Sequence, residues 1–256
     1  MKTWQLVAPP GRSHGVCTTM TGTSPEVAQV SDSRKPWRFA CEADLRVHSE
    51  ADSIRFWRVS HDTDGTPRAI FNYRLEHTLG VVKLARWLAP LAGADPDIVE
   101  CAAWLHDCRK QLNDSRGKDT HARDAAEAVD AILEGTDFPS EKIPAVKQAI
   151  LHHVGLRLSH RLEPAETACL WDADKLSKIG AASLIHFGCI SGGFEPVDTE
   201  HILERGERWL TLARGIVDSL NTEAARTEGE LRYQFLLRHY AQLRREWSEP
   251  MQESQP

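Results

Sequence analysis

From about residue 68 to about residue 248, apolar residues recur at helical spacing and no stretch alternates as a strand would. Leu75, Leu79 and Val82, with Val81, Leu84 and Leu88, form one amphipathic stripe that ends near Pro90 and Gly93. Asp95-Pro96 reads as an N-cap with proline in the first helical position, opening a helix through Ile98, Val99, Ala102, Ala103 and Leu105. Thr120 or Asp119 can cap a helix running to Leu133 and stopped at Gly135. Ser140 can cap the next, which carries Ile143, Val146, Ala149 and Ile150. Glu163-Pro164 starts a helix through Leu170 and Leu176 to Gly180, a short one comes after it, and two longer ones follow over 198–220 and 222–247. With no internal repeat and no βαβ alternation, the chain reads as an all-α helical bundle.

Residues 1–65 have a different texture, rich in Ser, Thr, Pro and Gly with no sustained period. They are expected to form a largely disordered or irregular extension, with the helical domain over 66–250. Within the extension, residues 53–59 can form a strand and residues 62–65 a turn leading into 69–71, a small β-hairpin.

Composition narrows the function classes. A chain of 256 residues suffices for one sizeable domain plus an appendage. The net charge of -6 argues against a broad nucleic-acid-binding face, so no polymeric nucleic acid is expected as partner. The six cysteines form no CxxC pair, which disfavours a zinc ribbon or a disulfide framework, and Cys101, Cys108 and Cys169 in apolar runs read as reduced, packed thiols. No run approaches the roughly 18 apolar residues of a membrane span, so a cytoplasmic protein is expected. The Glu/Arg-rich last helix could support a homodimer.

Chemistry is signalled by the placement of histidines. The run Ala102-Ala103-Trp104-Leu105 ends on His106-Asp107, two side chains able to ligate a metal where aliphatic packing would otherwise continue. A single His-Asp dipeptide carries little weight; His61-Asp62 is a second one and reads as part of a turn. The other members give it weight. His77 lies on the preceding helix, His121 opens the following one, His152-His153 closes the next, and Asp172-Ala173-Asp174 sits mid-helix after Cys169-Leu170-Trp171. One such group per helix, over five successive helices, is the pattern of a metal site at the centre of a bundle. A mixed imidazole and carboxylate set suits Mn²⁺, Fe²⁺ or Zn²⁺ better than Ca²⁺.

The order His77, His106-Asp107, Asp174 resembles the H…HD…D signature of the HD superfamily of metal-dependent phosphohydrolases. Flanking segments are similar too: residues 71–77 to the helix of the first ligand, residues 102–107 to the small-apolar run into HD, Ala149-Ile150-Leu151-His152-His153 to "AI-x-x-H", and residues 171–176 to "DAD-R/K-L". The tail over 221–226, with Arg232, Phe235 and Leu243, is similar to bacterial HD hydrolases acting on nucleotides. The resemblance spans roughly residues 68–248.

It implies a divalent metal (Mn²⁺, Fe²⁺, Mg²⁺ or Co²⁺) held by His77, His106, Asp107 and Asp174. It leaves open whether His121 and His153 bind a second metal or contact phosphate. It favours His153 over His152 as the inward residue and places Asp172 outside the ligand set, orienting a ligand or closing its helix. Lys110, with Arg109 and Lys175, is expected to meet substrate phosphate. Asp107 is expected to take a proton from water, and His121 or His153 to protonate the leaving oxygen. The implied function is hydrolysis of a small phosphorylated metabolite, with a nucleotide favoured. A nucleotide-sensing regulatory module without turnover and a di-iron oxygenase on the same scaffold are the alternatives. No Gly-Tyr-Pro follows His106-Asp107, and no Glu-Asp pair stands in the run Cys108-Arg109-Lys110-Gln111-Leu112, which weakens the cyclic-dinucleotide and alarmone variants. Ser191-Gly192-Gly193 is expected to be an ordinary loop. His160 and His186 are expected at the surface or in packing, and Trp87, Trp104, Trp171 and Trp209 in helix packing.

Overall fold

The computed structural model describes residues 35–56, 59–111, 120–194 and 198–248. Nine α-helices and one two-stranded sheet are found among them. Helix α1 (Pro36–Phe56) precedes the strands β1 (Val59–His61) and β2 (Pro67–Ala69). Then come α2 (Tyr73–Ala92), α3 (Pro96–Leu105), α4 (His121–Leu133), α5 (Ile143–Leu151) and α6 (Ala165–Ser177), followed by α7 (Ala181–Phe194), α8 (Thr199–Asp218) and α9 (Glu223–Ser248). The all-α expectation holds. None of the described helices is long and apolar enough to cross a membrane.

Helices α2, α3, α5 and α6 pack on one another around the main core, α4 lies on α5, and the α8–α9 pair lies against α6, with α9 also meeting α2. Helix α3 is buried from Ile98 to Leu105, so it has no solvent face. Its start is fixed by Asp95, whose carboxylate accepts from the Asp97 and Ile98 backbone N–H groups. Helix α2 starts at Asn72, whose Oδ1 accepts from the Leu75 N–H, and ends at Gly93 with φ +68°, the left-handed C-cap that favours glycine. Two expected caps differ in detail: Thr120 stands at the N-cap of α4 without a side-chain bond, and Ser140 opens a short 3₁₀ turn before α5.

Helix α1 is the main departure from expectation. Residues 36–56 were expected to be irregular, with 53–59 a strand; instead α1 runs through Phe56 and packs on α2, α3 and α4. Its buried stripe is Trp37, Cys41, Leu45, Ser49 and Ser53, strictly four apart. Only three of the five are apolar, so the helical signal is weak in sequence although the face is wholly buried. Its first N–H groups are served from a distance, with the Trp37 N–H donating to Asp137 Oδ1 at 3.0 Å.

The hairpin exists but is shorter than expected, with both strands closer to the turn, pairing Val59 with Ala69 and His61 with Pro67. Its turn falls on Asp62–Gly65, with Gly65 at φ +84°. Ser191, Gly192 and Gly193, expected as a loop, lie within α7. The expectations for residues 1–34 and for Asp119 lie outside the described residues.

Glu100 of α3 ties three helices together. It takes two bonds from Arg38 of α1, at 2.6 and 2.8 Å, and one from Arg86 of α2 at 2.7 Å.

Candidate metal centre

Adjacent helical residues diverge by about 100°, so His106 and Asp107 can meet one ion only where a helix ends. Helix α3 ends there. His106 keeps helical backbone angles as the C-cap, its N–H still bonded to Ala102 O at 2.9 Å, and Asp107 falls in the turn that follows. His77 comes from the buried face of α2 and Asp174 from the buried face of α6. His121 opens α4, and His153 stands just beyond α5. All six side chains are buried.

They converge as two groups. Donor atoms of His77, His106 and Asp174 lie within 4.8 Å of one another, and so do those of Asp107, His121 and His153. Asp107 joins the two. Its Oδ2 is 3.7 Å from His106 Nε2 and 3.9 Å from His77 Nε2, while its Oδ1 is 3.3 Å from His153 Nε2 and 3.6 Å from His121 Nε2. In the first group, His77 Nε2 is 3.2 Å from Asp174 Oδ1 and 3.3 Å from His106 Nε2.

The donor set fits a divalent cation. Atoms sharing an ion through bonds of 2.0–2.2 Å lie roughly 3–3.5 Å apart, close to these separations. The rings are oriented for it. His106 Nδ1 contacts Ala103 O at 2.8 Å, His153 Nδ1 contacts Ile150 O at 2.6 Å, and His77 Nδ1 contacts Ser177 Oγ at 3.0 Å, which turns each Nε2 inward.

Protonation suits ligation as well. Burial pushes the His77 imidazole down to about 4, aided by the Lys178 charge, and burial pushes His106 down to about 3. Both rings are therefore neutral near pH 7. Burial alone would raise the Asp107 carboxyl, but the Lys110 charge and the His153 hydrogen bond help hold Asp107 well below the usual carboxylate range. Lys175 and Lys178 do the same for Asp174. Neutral imidazoles and ionised carboxylates are the forms that bind metal.

Three ammonium groups border the cluster. Lys110 Nζ donates to Asp107 Oδ2 at 2.9 Å from a side chain that is 44% exposed. Lys178 donates to Asp174 Oδ1 and stands 3.4 Å from His77 Nε2. Lys178 was not anticipated, although its position four residues after Asp174 puts it on the same helical face. Lys175 is buried and bonded to Asp174 and, at 2.7 Å, to His153 O, with its Nζ over the Trp171 ring. Its donors serve the fold and do not face outward. Arg109 engages Asp44 of α1 at 2.6 and 2.9 Å instead of the cluster. Both differ from the substrate contacts expected of them.

Asp172 lies outside both groups, and it neither orients their side chains nor closes its own helix. Its oxygens accept from the Asn221 N–H (2.8 Å) and Nδ2 (3.0 Å) and from the Thr222 N–H (2.7 Å) and Oγ1 (2.8 Å), at the start of α9. Of the adjacent histidines, His153 meets the cluster while His152 is exposed. His160 is exposed, whereas His186 is half-buried against Phe71 and Tyr73. Trp104 and Trp171 are buried as expected; Trp87 is 40% exposed.

Residues 74–179 match the HD domain family. The YpgQ protein of Bacillus subtilis (strain 168) is 26% identical over 212 residues, which cover 79% of this chain and 96% of YpgQ. The crystal structure of YpgQ in complex with ADP is similar with a TM-score of 0.51 at 22% identity, covering 81% of this chain and 98% of that one. A predicted HD superfamily hydrolase from an uncultured Thermotogales bacterium gives 0.55 at 23% identity, covering 84% and 95%. An HD-superfamily hydrolase from Bacillus thuringiensis gives 0.53 at 21% identity, covering 84% and 100%. Those structures share the fold. The matched segment, residues 74–179, is an HD domain, and it carries His77, His106, Asp107 and Asp174.

Proposed function

We propose that this protein is a metal-dependent phosphohydrolase acting on a small phosphorylated metabolite, and specifically a nucleotide. The observation that carries this reading is Asp107, one oxygen facing His77 and His106 and the other facing His121 and His153. A divalent cation held by such a set supplies an acidified water and a polarised phosphoryl oxygen. The protein's own residues do the rest. His77, His106, Asp107 and Asp174 hold the cation, and His121 and His153 with Asp107 offer a second position. Asp107, ionised and central, accepts a proton from the attacking water. His121, at the opening of α4, is placed to protonate the leaving oxygen. Lys110 and Lys178 offset phosphate charge at the border of the cluster. The ADP bound by YpgQ supports a nucleotide as the ligand class.

The test is release of phosphate or pyrophosphate from a panel of nucleotides and phosphomonoesters, with Mn²⁺, Mg²⁺, Fe²⁺ or Co²⁺ supplied. Release is expected with at least one metal and lost in Asp107→Ala. Metal-loaded protein that binds nucleotides without releasing a product overturns the reading, as does release that survives Asp107→Ala.

A further inference from the structure

A pocket of about 260 Å³ opens among α2, α7, α8 and α9, bounded on one side by Ser177 and Lys178. Its walls are largely rings: Tyr73 from α2, His186 and Phe187 from α7, Trp209 from α8 and Tyr240 from α9. Three wall residues also touch the metal centre. Tyr73 stacks on the His77 ring with centroids 5.6 Å apart and planes 19° apart. Ser177 Oγ meets His77 Nδ1 at 3.0 Å, and Lys178 donates to Asp174. Pocket and centre thus share a wall one residue thick.

The pocket has a built floor. Gly206 of α8 lets the hydroxyl end of the Tyr240 ring approach the helix, because a Cβ at 206 would come within 1.8 Å of it. Arg205 lies over Phe187 at 4.6 Å and donates to Ser191 Oγ at 3.0 Å, fixing a second wall. The volume falls just below the ~300–1,000 Å³ of pockets for drug-sized ligands, which suits one flat ring system. Aromatic walls bind nucleobases by stacking. The cationic border at Lys178 suits the anionic group such a ring would carry.

We propose that this pocket holds the nucleobase of the substrate, with the phosphates reaching the metal centre past Lys178. The inference rests on the hydrolytic reading above and adds to it a site for the base. Adenosine, which has no phosphate, is the probe. Titrated into wild-type protein, it is expected to shift the Trp209 indole N–H signal, assigned with Trp209→Phe. The shift is expected to vanish in Ile190→Trp, which fills the pocket from a half-buried position outside the main core. The same variant is expected to raise the KM for ATP on the order of tenfold, the size of one stacking interaction. No shift at Trp209 in the wild type, the same shift in Ile190→Trp, or an unchanged KM overturns the proposal. If the wild type hydrolyses nothing yet adenosine still shifts Trp209, the hydrolytic reading fails and the base site stands.

Discussion

Asp172 and Asp174 stand two residues apart on one helix, yet they do different work, and replacing Asp172 separates the two roles. In Asp172→Ala the Asn221 and Thr222 backbone N–H groups lose their acceptor. A buried donor without a partner costs about 1–3 kcal/mol. Thr222 is half-buried and takes the low end of that range. The two side-chain donors can turn elsewhere and add little, so the total is about 3 kcal/mol. At roughly 2–4 °C per kcal/mol for a chain of this size, Tm falls by about 10 °C. Asp172→Asn keeps one acceptor oxygen and is expected to lose about half as much. Differential scanning calorimetry gives the Tm, and elemental analysis of the folded variant at 20 °C gives the metal. Metal content is expected to match the wild type. A variant with wild-type Tm that has lost its metal would place Asp172 in the ligand set and refute the assignment.

Burial pushes the Glu100 carboxyl up, but its bonds to Arg38 and Arg86 outweigh that and hold it below the ordinary glutamate value. A depressed folded-state pKa stabilises the fold above the unfolded value of about 4.3, and the contribution is lost as pH falls through the folded value. Glu100→Gln is therefore expected to cost about 2 kcal/mol near pH 7, less than a fully enclosed pair because Arg86 is half-exposed, with the gap closing towards pH 3; urea titrations across pH check it. Lys178 bonds the Asp174 oxygen and stands beside the His77 nitrogen that would ligate a cation. Lys178→Gln is expected to bind Mn²⁺ about tenfold more tightly by calorimetry, and weaker binding would show that Lys178 does not compete for those atoms. Trp37 is fully buried and edge-on to Phe138 at 5.2 Å. Trp37→Ala is expected to cost about 3–5 kcal/mol in a denaturation curve, whereas a value near zero would make α1 an accessory.

The helices that carry the converging histidines and aspartates were legible from their apolar period, and α2 and α3 also from their ends, at Gly93 and at Asp95-Pro96. The convergence of His77, His106, Asp107 and Asp174 was legible because imidazoles and carboxylates on buried faces need a common partner. Helix α1 was not, since two of the five residues in its buried stripe are serines, and their partners lie elsewhere: the Ser49 and Ser53 hydroxyls meet the Asn72 amide, some twenty residues away. Lys175 and Arg109 looked like phosphate contacts because sequence shows a charge without its partner. Lys175 is bonded to Asp174 and the His153 carbonyl, and Arg109 to an aspartate 65 positions away on a helix not anticipated. Lys178 had a usable signal, the i,i+4 spacing from Asp174. The aromatic pocket had none, because its walls come from four helices and only packing sets them side by side.

Anomalous diffraction from a crystal soaked in Mn²⁺ reaches the central assignment most directly. A peak is expected about 2.0–2.3 Å from Nε2 of His77 and of His106 and from one oxygen each of Asp107 and Asp174. A manganese peak elsewhere in the chain, with Lys178 still bonded to Asp174 and no density among those four side chains, would contradict it.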